Sequence, residues 1–362
     1  MARLSYLRIA GAPFDAGFAL GRFGAAAVHA YRLQSPAWAG VMRWRGSAPA
    51  AAMAALVQER FPRIWAELQG LAQGLELPFD EVLLWNCRGD LWALAPDGCT
   101  TVQIPGAAGW AIAHNEDGDP RFAGHCALAE CAIDGSPPFA AFVYPGSLAG
   151  HTFAVTAAGL AMTVNNLRLR EADAGVPRMV LTRALLDAPS LPAAVELLQR
   201  QPRAGGFHLT LAHRDSAELL SVEFGSRACS VRAVTAPSVH ANHALQPALC
   251  ERPQLVTGSS GQRQRRGEAL LAQAAAAGVA VDALAILGDA EQPRFPIHRS
   301  AADDEDAENT LATALIAVQS VRSVPSVPSV RSVPCAQIVW QVHEHPLQPP
   351  VFRMVGAAKL RG

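Results

Sequence analysis

The sequence lacks an excess of charge of either sign. Its 362 residues carry 30 lysines and arginines against 31 aspartates and glutamates, which gives a formal net charge of −1. The charges are spread along the chain without the basic stripe that a nucleic-acid-binding surface needs. We therefore expect no nucleic-acid partner.

Long apolar runs are also missing. No stretch approaches the roughly 18 consecutive apolar residues of a membrane-spanning helix, and the first residues do not form the apolar core of a signal peptide. Half of the residues are nevertheless hydrophobic, which is enough for a large packed core. We expect a soluble, cytoplasmic protein that has no membrane partner.

The seven cysteines form neither a disulfide framework nor a metal-binding pattern. Their number is odd, their spacing is irregular, and Cys99 has no CxxC partner. Such a pattern is typical of free thiols in a reducing compartment. His240 and His243, in the segment HANH, lack a third ligand at helical spacing. The sequence therefore predicts no metal site.

The pattern of the chain changes near residue 98. Before it, apolar spacing predicts a short strand and then about three helices, the last with Asp80 as its N-cap. After it, short β-prone segments separated by glycine and proline predict strands. Two helices are expected between 177 and 201 and two more between 260 and 288. Strands grouped between groups of helices favour an α+β fold over a βαβ alternation.

Residues 320–334 consist of repeated SVR and SVP triplets. Proline at this period prevents a ladder in the middle of a sheet, and the composition is that of an extended linker. We interpret the segment as a linker inserted in a surface loop. A docking segment for another molecule is the alternative.

The dipeptide Gly98–Cys99 stands where the helical part gives way to strands. A thiol becomes a nucleophile when a base accepts its proton. If the chain were cut before Cys99, the new α-amine, with a reference pKa of about 8, would supply that base. Glycine at 98 would leave its carbonyl open to attack. From the residues alone, a buried structural thiol is the alternative.

The segment DGCTTVQIPGAAGWAIAHNEDGD resembles the self-cleaving acyltransferase family that includes the fungal isopenicillin N acyltransferase, whose members are cysteine N-terminal-nucleophile hydrolases. Five further segments resemble other motifs of this family in the same order: GAPFDAGFALGR, ELQGLAQGLELPFDEVLLWNCRGDLW, GLAMTVNNL, VHANHAL and FPIHRS. The resemblance implies a four-layer αββα sandwich, cleavage between Gly98 and Cys99, and acyl transfer without a cofactor.

The resemblance also implies roles for individual residues. Cys99 would be the self-processing residue and the catalytic nucleophile, with Asp117 near its amine and Asn242 donating to the oxyanion. Asn165 would hold the substrate or the new amine, and the charge of Arg299 would favour the thiolate. Substrate contacts are expected from Asn115, Glu116 and Asn166.

Several of these positions have a structural alternative. Asp117 would otherwise be a turn residue, and Asn165 and Asn166 would cap strand ends. Arg299 would otherwise be a surface ion-pair partner. The site roles therefore depend on the resemblance and not on the residue types alone.

Two departures from the family pattern bear on the substrate. Glu116 stands where the penicillin enzyme has an aromatic residue, and the resulting Asn-Glu-Asp is more similar to the branch containing the insect β-alanyl-dopamine hydrolase. Gly225 stands where the family has a serine, which occurs here one step later as Ser226. These differences favour hydrolysis of a small N-acyl amine or amino-acid amide over a penicillin substrate.

Cleavage would divide the chain into residues 1–98, a small and mostly helical fragment that stays docked, and residues 99–362, which begin with the nucleophile. The expected partners are this fragment and a small-molecule amide or acyl donor. Three alternatives stay open: an acyl-CoA-dependent N-acyltransferase of the penicillin type, an uncut papain-like cysteine hydrolase, and a non-catalytic ligand-binding descendant.

Overall fold

The computed structural model describes residues 4–92, 98–106, 109–301, 304–321 and 335–360. The first part begins with the strand β1 (Ser5–Gly11) and continues as helices. Their bounds are α1 (Pro13–Ala27), α2 (Pro36–Met42), α3 (Ala48–Arg60), α4 (Pro62–Leu75), α5 (Phe79–Asn86) and α6 (Arg88–Leu91).

The helical expectation for this part is confirmed, but three helices were too few. A proline at the first or second helical position starts α2, α3 and α4 separately, because proline is tolerated there and breaks a helix interior. The expected cap at Asp80 is wrong. Pro78 is the N-cap of α5, and Asp80 lies in its first turn, where a negative charge is favourable.

Helices α1 and α4 pack backbone to backbone through glycines. A Cβ atom on Gly17 would lie 1.9 Å from the carbonyl oxygen of Glu67, and one on Gly70 would lie 1.9 Å from that of Phe14. Any side chain at these positions would therefore force the two helices apart. The glycine spacing in both segments follows from this contact.

The remaining elements follow in chain order. They are β2 (Gly98–Gly106), β3 (Gly109–Gly118), β4 (Ala127–Ile133), β5 (Phe139–Val143), β6 (Phe153–Thr156), β7 (Leu160–Asn166), α7 (Arg178–Leu185), α8 (Leu191–Arg200), β8 (Phe207–His213), β9 (Leu219–Phe224), β10 (Cys229–Ala233), β11 (Ser238–His240), α9 (Gly258–Ala277), α10 (Ala283–Leu287), β12 (Asn309–Val321), β13 (Cys335–His343), β14 (Phe352–Val355) and β15 (Ala358–Lys359).

The strands form two large sheets. The first has the order β1-β4-β5-β6-β7-β8-β9-β10, and the second has the order β11-β2-β3-β12-β13-β14-β15. The opening strand β1 pairs in parallel with β4 along its whole length, so the helical first part contributes an edge strand to the first sheet. The α+β expectation is confirmed.

Three apolar clusters join these layers. The first combines α1, α4, α5 and α7 with one face of the first sheet, and it includes the buried residues Leu68 and Ala129. The second lies where both sheets contribute, and includes Ile112, Phe142 and Trp340. The third joins β2 and β3 to α10. None of the described helices is both long enough and apolar enough to span a bilayer.

Most of the triplet repeat lies outside the described residues, which omit 322–334. Its first two residues belong to β12, where Ser320 pairs with Ala336 and Val321 pairs with Cys335. The two ends of the undescribed segment therefore meet at neighbouring strands. The linker interpretation of the segment itself stays a prediction.

Candidate active site

Cys99 is the second residue of β2, close to the end of the helical part. β2 runs antiparallel to β3, and the register places Cys99 opposite Glu116 and Gly98 opposite Asp117. Since side chains alternate between the faces of a sheet, Cys99 and Glu116 share one face, and Gly98 and Asp117 share the other. Cys99 is only 3% exposed.

The thiol of Cys99 begins a chain of polar contacts that runs toward the first sheet. Its Sγ lies 3.7 Å from Oε2 of Glu116, and the same oxygen lies 3.1 Å from Nε2 of His114. Nδ1 of His114 lies 2.8 Å from the hydroxyl of Thr101, which donates to Oδ1 of Asn165 at 2.7 Å. Burial lowers the pKa of His114 to about 3, so its imidazole is neutral at physiological pH.

The backbone of Cys99 is held on both sides of its α-carbon. Its N–H donates to Oδ1 of Asn242 at 3.0 Å, and its carbonyl accepts from Nη1 of Arg263 at 2.5 Å. Nη2 of Arg263 donates to the same Oδ1 at 2.6 Å. A guanidinium only donates hydrogen bonds, so this contact requires the oxygen of the Asn242 amide, and not its nitrogen, to point toward Cys99.

The nitrogen of the Asn242 amide is directed elsewhere. Nδ2 donates to the backbone carbonyl of Asn166 at 3.2 Å. The structure thus brings Asn242 to Cys99. The Asn242 side chain, however, presents an acceptor to the Cys99 N–H and not a donor. The role of Asn242 as an oxyanion donor stays a prediction.

Asp117 lies beside Gly98 in a buried position, and it is a strand residue, not a turn residue. Its Oδ1 accepts from the hydroxyl of Thr310 at 2.6 Å, and Oδ2 has no hydrogen-bond partner among the described residues. Burial raises the pKa of Asp117, and the positive charges of Arg263 and Arg299 oppose that rise. The carboxyl is therefore close to cations but poorly solvated.

Arg299 is fully buried, so the alternative of a surface ion-pair partner is wrong. It forms a two-pronged ion pair with Asp304, at 2.8 and 2.9 Å, and donates to Oγ of Ser259 at 2.6 Å. The same Oγ accepts from Arg263 at 3.1 Å. Arg299 is thus connected to the Cys99 backbone through Ser259 and Arg263.

The other three asparagine positions differ in direction. Asn165 lies on β7 of the first sheet, and its Oδ1 accepts from the hydroxyl of Thr101, which shares a face of β2 with the thiol. Asn166 accepts a hydrogen bond from the Arg178 guanidinium at 2.6 Å through its side chain. Asn115 donates to the carbonyl of Leu287, the last residue of α10, at 2.8 Å, on the opposite face from Cys99. Strand alternation therefore separates Asn115 from the thiol that its neighbour Glu116 contacts.

The histidines of HANH do not converge. His240 stacks on His208 with ring centroids 3.5 Å apart and bonds Glu223 at 2.8 Å, whereas His243 bonds Ser260 at 2.8 Å. The donor atoms that do converge within the described residues belong to Cys99, His114 and Glu116, which lie within 4.8 Å of one another. Thiolate, imidazole and carboxylate are ligands that zinc accepts, so this trio could hold a metal ion.

Comparison with known proteins assigns the sequence to a family. The model of the family described as acyl-coenzyme A:6-aminopenicillanic acid acyl-transferase matches residues 105–325. The chain belongs to this family. The match begins after Cys99 and includes Asp117, Asn165, Asn242 and Arg299.

A relative of known activity is similar over part of its length. The β-alanyl-dopamine/carcinine hydrolase of Drosophila melanogaster is 26% identical over 163 residues, which are 40% of this chain. The aligned segment covers 42% of that protein's own length. The name of this relative describes a hydrolase, whereas the description of the matched family names an acyl-transferase.

Several residues at this site were missed by the sequence analysis, among them His114, Arg263 and Glu308. Arg263 lies in the arginine-rich first half of α9, where the spacing of arginines does not show which one points inward. Glu308 directly precedes β12 and is 1% exposed. Burial raises the pKa of Glu308 to about 8. A buried acid among the motifs of this family is a signal of function only once its neighbours are known.

Proposed function

We propose that this chain is a self-cleaving cysteine N-terminal-nucleophile amidohydrolase that acts on a small N-acyl amine or amino-acid amide through a Cys99 acyl-enzyme. The supporting observation is the way in which Cys99 is held. Asn242 and Arg263 fix its backbone, while its thiol faces the Glu116–His114 pair. A nucleophile in a fixed position next to a proton acceptor is the arrangement that such chemistry needs.

Self-cleavage would begin with a base other than an α-amine, because the nitrogen of Cys99 is still an amide in the uncut chain. Glu116, 3.7 Å from Sγ, would accept the thiol proton and share it with His114. Sγ would then attack the Gly98 carbonyl carbon. As the C–S bond forms and the C–N bond breaks, a proton passes to the Cys99 nitrogen, which leaves as the α-amine. Water would hydrolyse the thioester to the Gly98 carboxylate and the free thiol.

The cut enzyme would use the new amine in place of that base. The nitrogen lies 3.0 Å from Oδ1 of Asn242, so this oxygen would hold the amine in place. The amine would take the thiol proton, Sγ would attack the substrate carbonyl, and the ammonium would protonate the departing amine. Water would then release the acyl group. Asp117, buried next to this position, would stabilise the ammonium form.

The fold that we propose for this chemistry is the four-layer αββα sandwich. The three apolar clusters support it, because they join helices to the first sheet, the first sheet to the second, and the second sheet to α10. The pairing of β1 with β4 supports the proposal that residues 1–98 stay docked after cleavage. Ordered packing across a cut site would keep the new terminus in place.

The substrate class is proposed from two observations. The name of the Drosophila melanogaster relative gives hydrolysis of β-alanyl-dopamine and carcinine, and the acidic Glu116 occupies the thiol-facing position of β3. Acyl transfer to an amine is a second candidate, which the family description supports. Hydrolysis is preferred because the similar relative is a hydrolase.

The test is amine release from a panel of β-alanyl, other aminoacyl and N-acyl amides by purified protein. The control is Cys99→Ala, which lacks the nucleophile. Release by the wild type and none by Cys99→Ala is the expected result. Equal release by both proteins would contradict a Cys99 acyl-enzyme.

A further inference from the structure

In the uncut chain, Gly98 occupies the position that the acyl group of a substrate would take. In the proposed self-cleavage, on which this inference rests, Cys99 accepts the acyl group of Gly98. The same thiol later accepts the acyl group of the substrate. The α-carbon of Gly98 therefore marks where the first carbon beyond the carbonyl of a substrate would lie in the acyl-enzyme.

Glu308 lies against this position. A Cβ atom placed on Gly98 would be 2.1 Å from Oε2 of Glu308. Neither carboxyl oxygen of Glu308 accepts a hydrogen bond from any residue that the structure describes, although the side chain is almost completely buried. Buried polar groups are as a rule hydrogen-bonded, so this carboxyl has acceptor capacity that the described protein does not use.

The acidic side chains next to Glu308 are paired with arginines. Glu308 lines a cavity of about 410 Å³ together with Asp119 and Asp306. Asp119 is paired with Arg121 at 2.6 Å, and Asp306 is paired with Arg168 at 2.5 Å. Of these three carboxyl groups, Glu308 is therefore the one that is left to accept a hydrogen bond from a ligand.

The nearest cation to Glu308 is shared with another acid. Nη2 of Arg168 lies 3.6 Å from Oε1, beyond hydrogen-bond range, while its Nη1 bonds Asp306. Oε2 is the carboxyl oxygen of Glu308 that faces Gly98, and therefore the oxygen that faces the acyl position. A donor carried by the acyl group itself would complete this site.

We propose that Glu308 determines acyl-group specificity by binding an amino group on the first or second carbon beyond the substrate carbonyl. The preferred substrates are then α- or β-aminoacyl amides. An acyl group without the amino group would place an apolar chain beside the Glu308 carboxyl and offer it no hydrogen bond. A site built to bond a polar group discriminates strongly against the analogue that lacks it, because its own polar group is left unpaired.

The experiment compares matched amides of one chromogenic amine, using the processed wild-type protein. The pairs are β-alanyl against propionyl and glycyl against acetyl, which differ only in the amino group. We expect kcat/KM to favour at least one aminoacyl amide by about 100-fold or more. Glu308→Gln should reduce that ratio to about tenfold or less, chiefly through slower cleavage of the aminoacyl amide.

Glu305→Gln is the matched control, because Glu305 is an exposed carboxylate three residues away. It should keep the wild-type ratio. The intact mass of Glu308→Gln is measured as well, and this variant should be cut normally. An uncut Glu308→Gln protein would overturn the proposal, since Glu308 would then act in self-cleavage.

Failure of this inference is distinguishable from failure of the proposed function. Cys99-dependent cleavage of both members of each pair at similar rates would overturn the role of Glu308 and leave the amidase intact. No cleavage of any amide would reject the amidase itself. If Glu308→Gln does not fold, inhibition of the wild type decides: β-alanine amide should inhibit more strongly than propionamide, and the reverse order would overturn the proposal.

Discussion

Oδ1 of Asn242 accepts a hydrogen bond from the backbone nitrogen of Cys99 at 3.0 Å. This nitrogen is the atom that a cut before Cys99 would convert into an α-amine. The orientation is fixed by Arg263, which donates to the same oxygen. One side chain is thus aimed at the atom that the proposed mechanism uses as its base.

Asn242 provides the first prediction. Asn242→Ala should lower turnover about 100-fold or more while the fold survives, as expected for loss of an oxyanion donor. Asn242→Asp separates the two possible roles, because it keeps an acceptor for the amine and removes the Nδ2 donor. Equal losses in both variants, measured as kcat, would support the oxyanion role. Near-normal turnover in both would remove Asn242 from the mechanism.

Glu116 provides the second prediction. Glu116→Gln should slow self-cleavage about 100-fold or more, because the uncut chain would lose the base next to Sγ. The measurement is the fraction of uncut chain over time after synthesis. Glu305→Gln, which changes an exposed carboxylate, should be cut at the wild-type rate. Cleavage of Glu116→Gln at that rate would mean that another group takes the thiol proton.

The third prediction concerns the stability of the uncut chain as pH changes. Burial raises the pKa of Glu308 from an ordinary value of 4.5 to about 8; Asp306 and Asp117 add to the rise, and Arg168 and Arg299 oppose it. Folding thus favours the protonated acid, and its stabilising contribution is lost as pH rises from about 4.5 to 8.

The measurement uses the Cys99→Ala protein, which should remain in one piece. Relative to the same protein with Glu308→Gln, its melting temperature should fall between pH 5 and pH 8. The difference isolates Glu308, because every other titrating group is common to both proteins. A difference that stays constant across this range would show that Glu308 does not titrate there.

The fourth prediction concerns metal ions. Treatment with a chelator should leave turnover unchanged, because the proposed chemistry uses only protein groups and water. Added Zn²⁺ should inhibit reversibly by binding Cys99, His114 and Glu116, whose donor atoms lie within 4.8 Å. Loss of activity on chelation, restored by metal, would instead make this trio a metal centre.

The secondary structure was largely predictable because its signals are local. Short β-prone segments separated by glycine and proline identified the strands on both sides of α7 and α8, and helical spacing identified the first part of the chain. The three-residue strand β11 is too short to show any period. The division between α3 and α4 depends on Pro62, a single residue in an otherwise continuous helical pattern.

Part of the expected site lies on two neighbouring strands, whereas Asn165, Asn242 and Arg299 were expected only from the family resemblance. Gly98, Cys99 and Asp117 belong to two strands that are consecutive in the chain and pair directly, so their proximity follows from local strand pairing. Glu308 and Arg263 arrive from a loop and a helix far away in the sequence. Their proximity to Gly98 and Cys99 depends on tertiary packing, which no local pattern records.

The most direct test of the proposed mechanism is the intact mass of purified wild-type protein, with N-terminal sequencing of its fragments. We expect two co-purifying fragments of 98 and 264 residues (362 minus 98), the larger beginning Cys-Thr-Thr. Cys99→Ala should remain one folded and inactive chain, since alanine cannot attack Gly98. A fully active wild-type protein that is still uncut before Cys99 would contradict self-cleavage and favour a papain-like cysteine hydrolase.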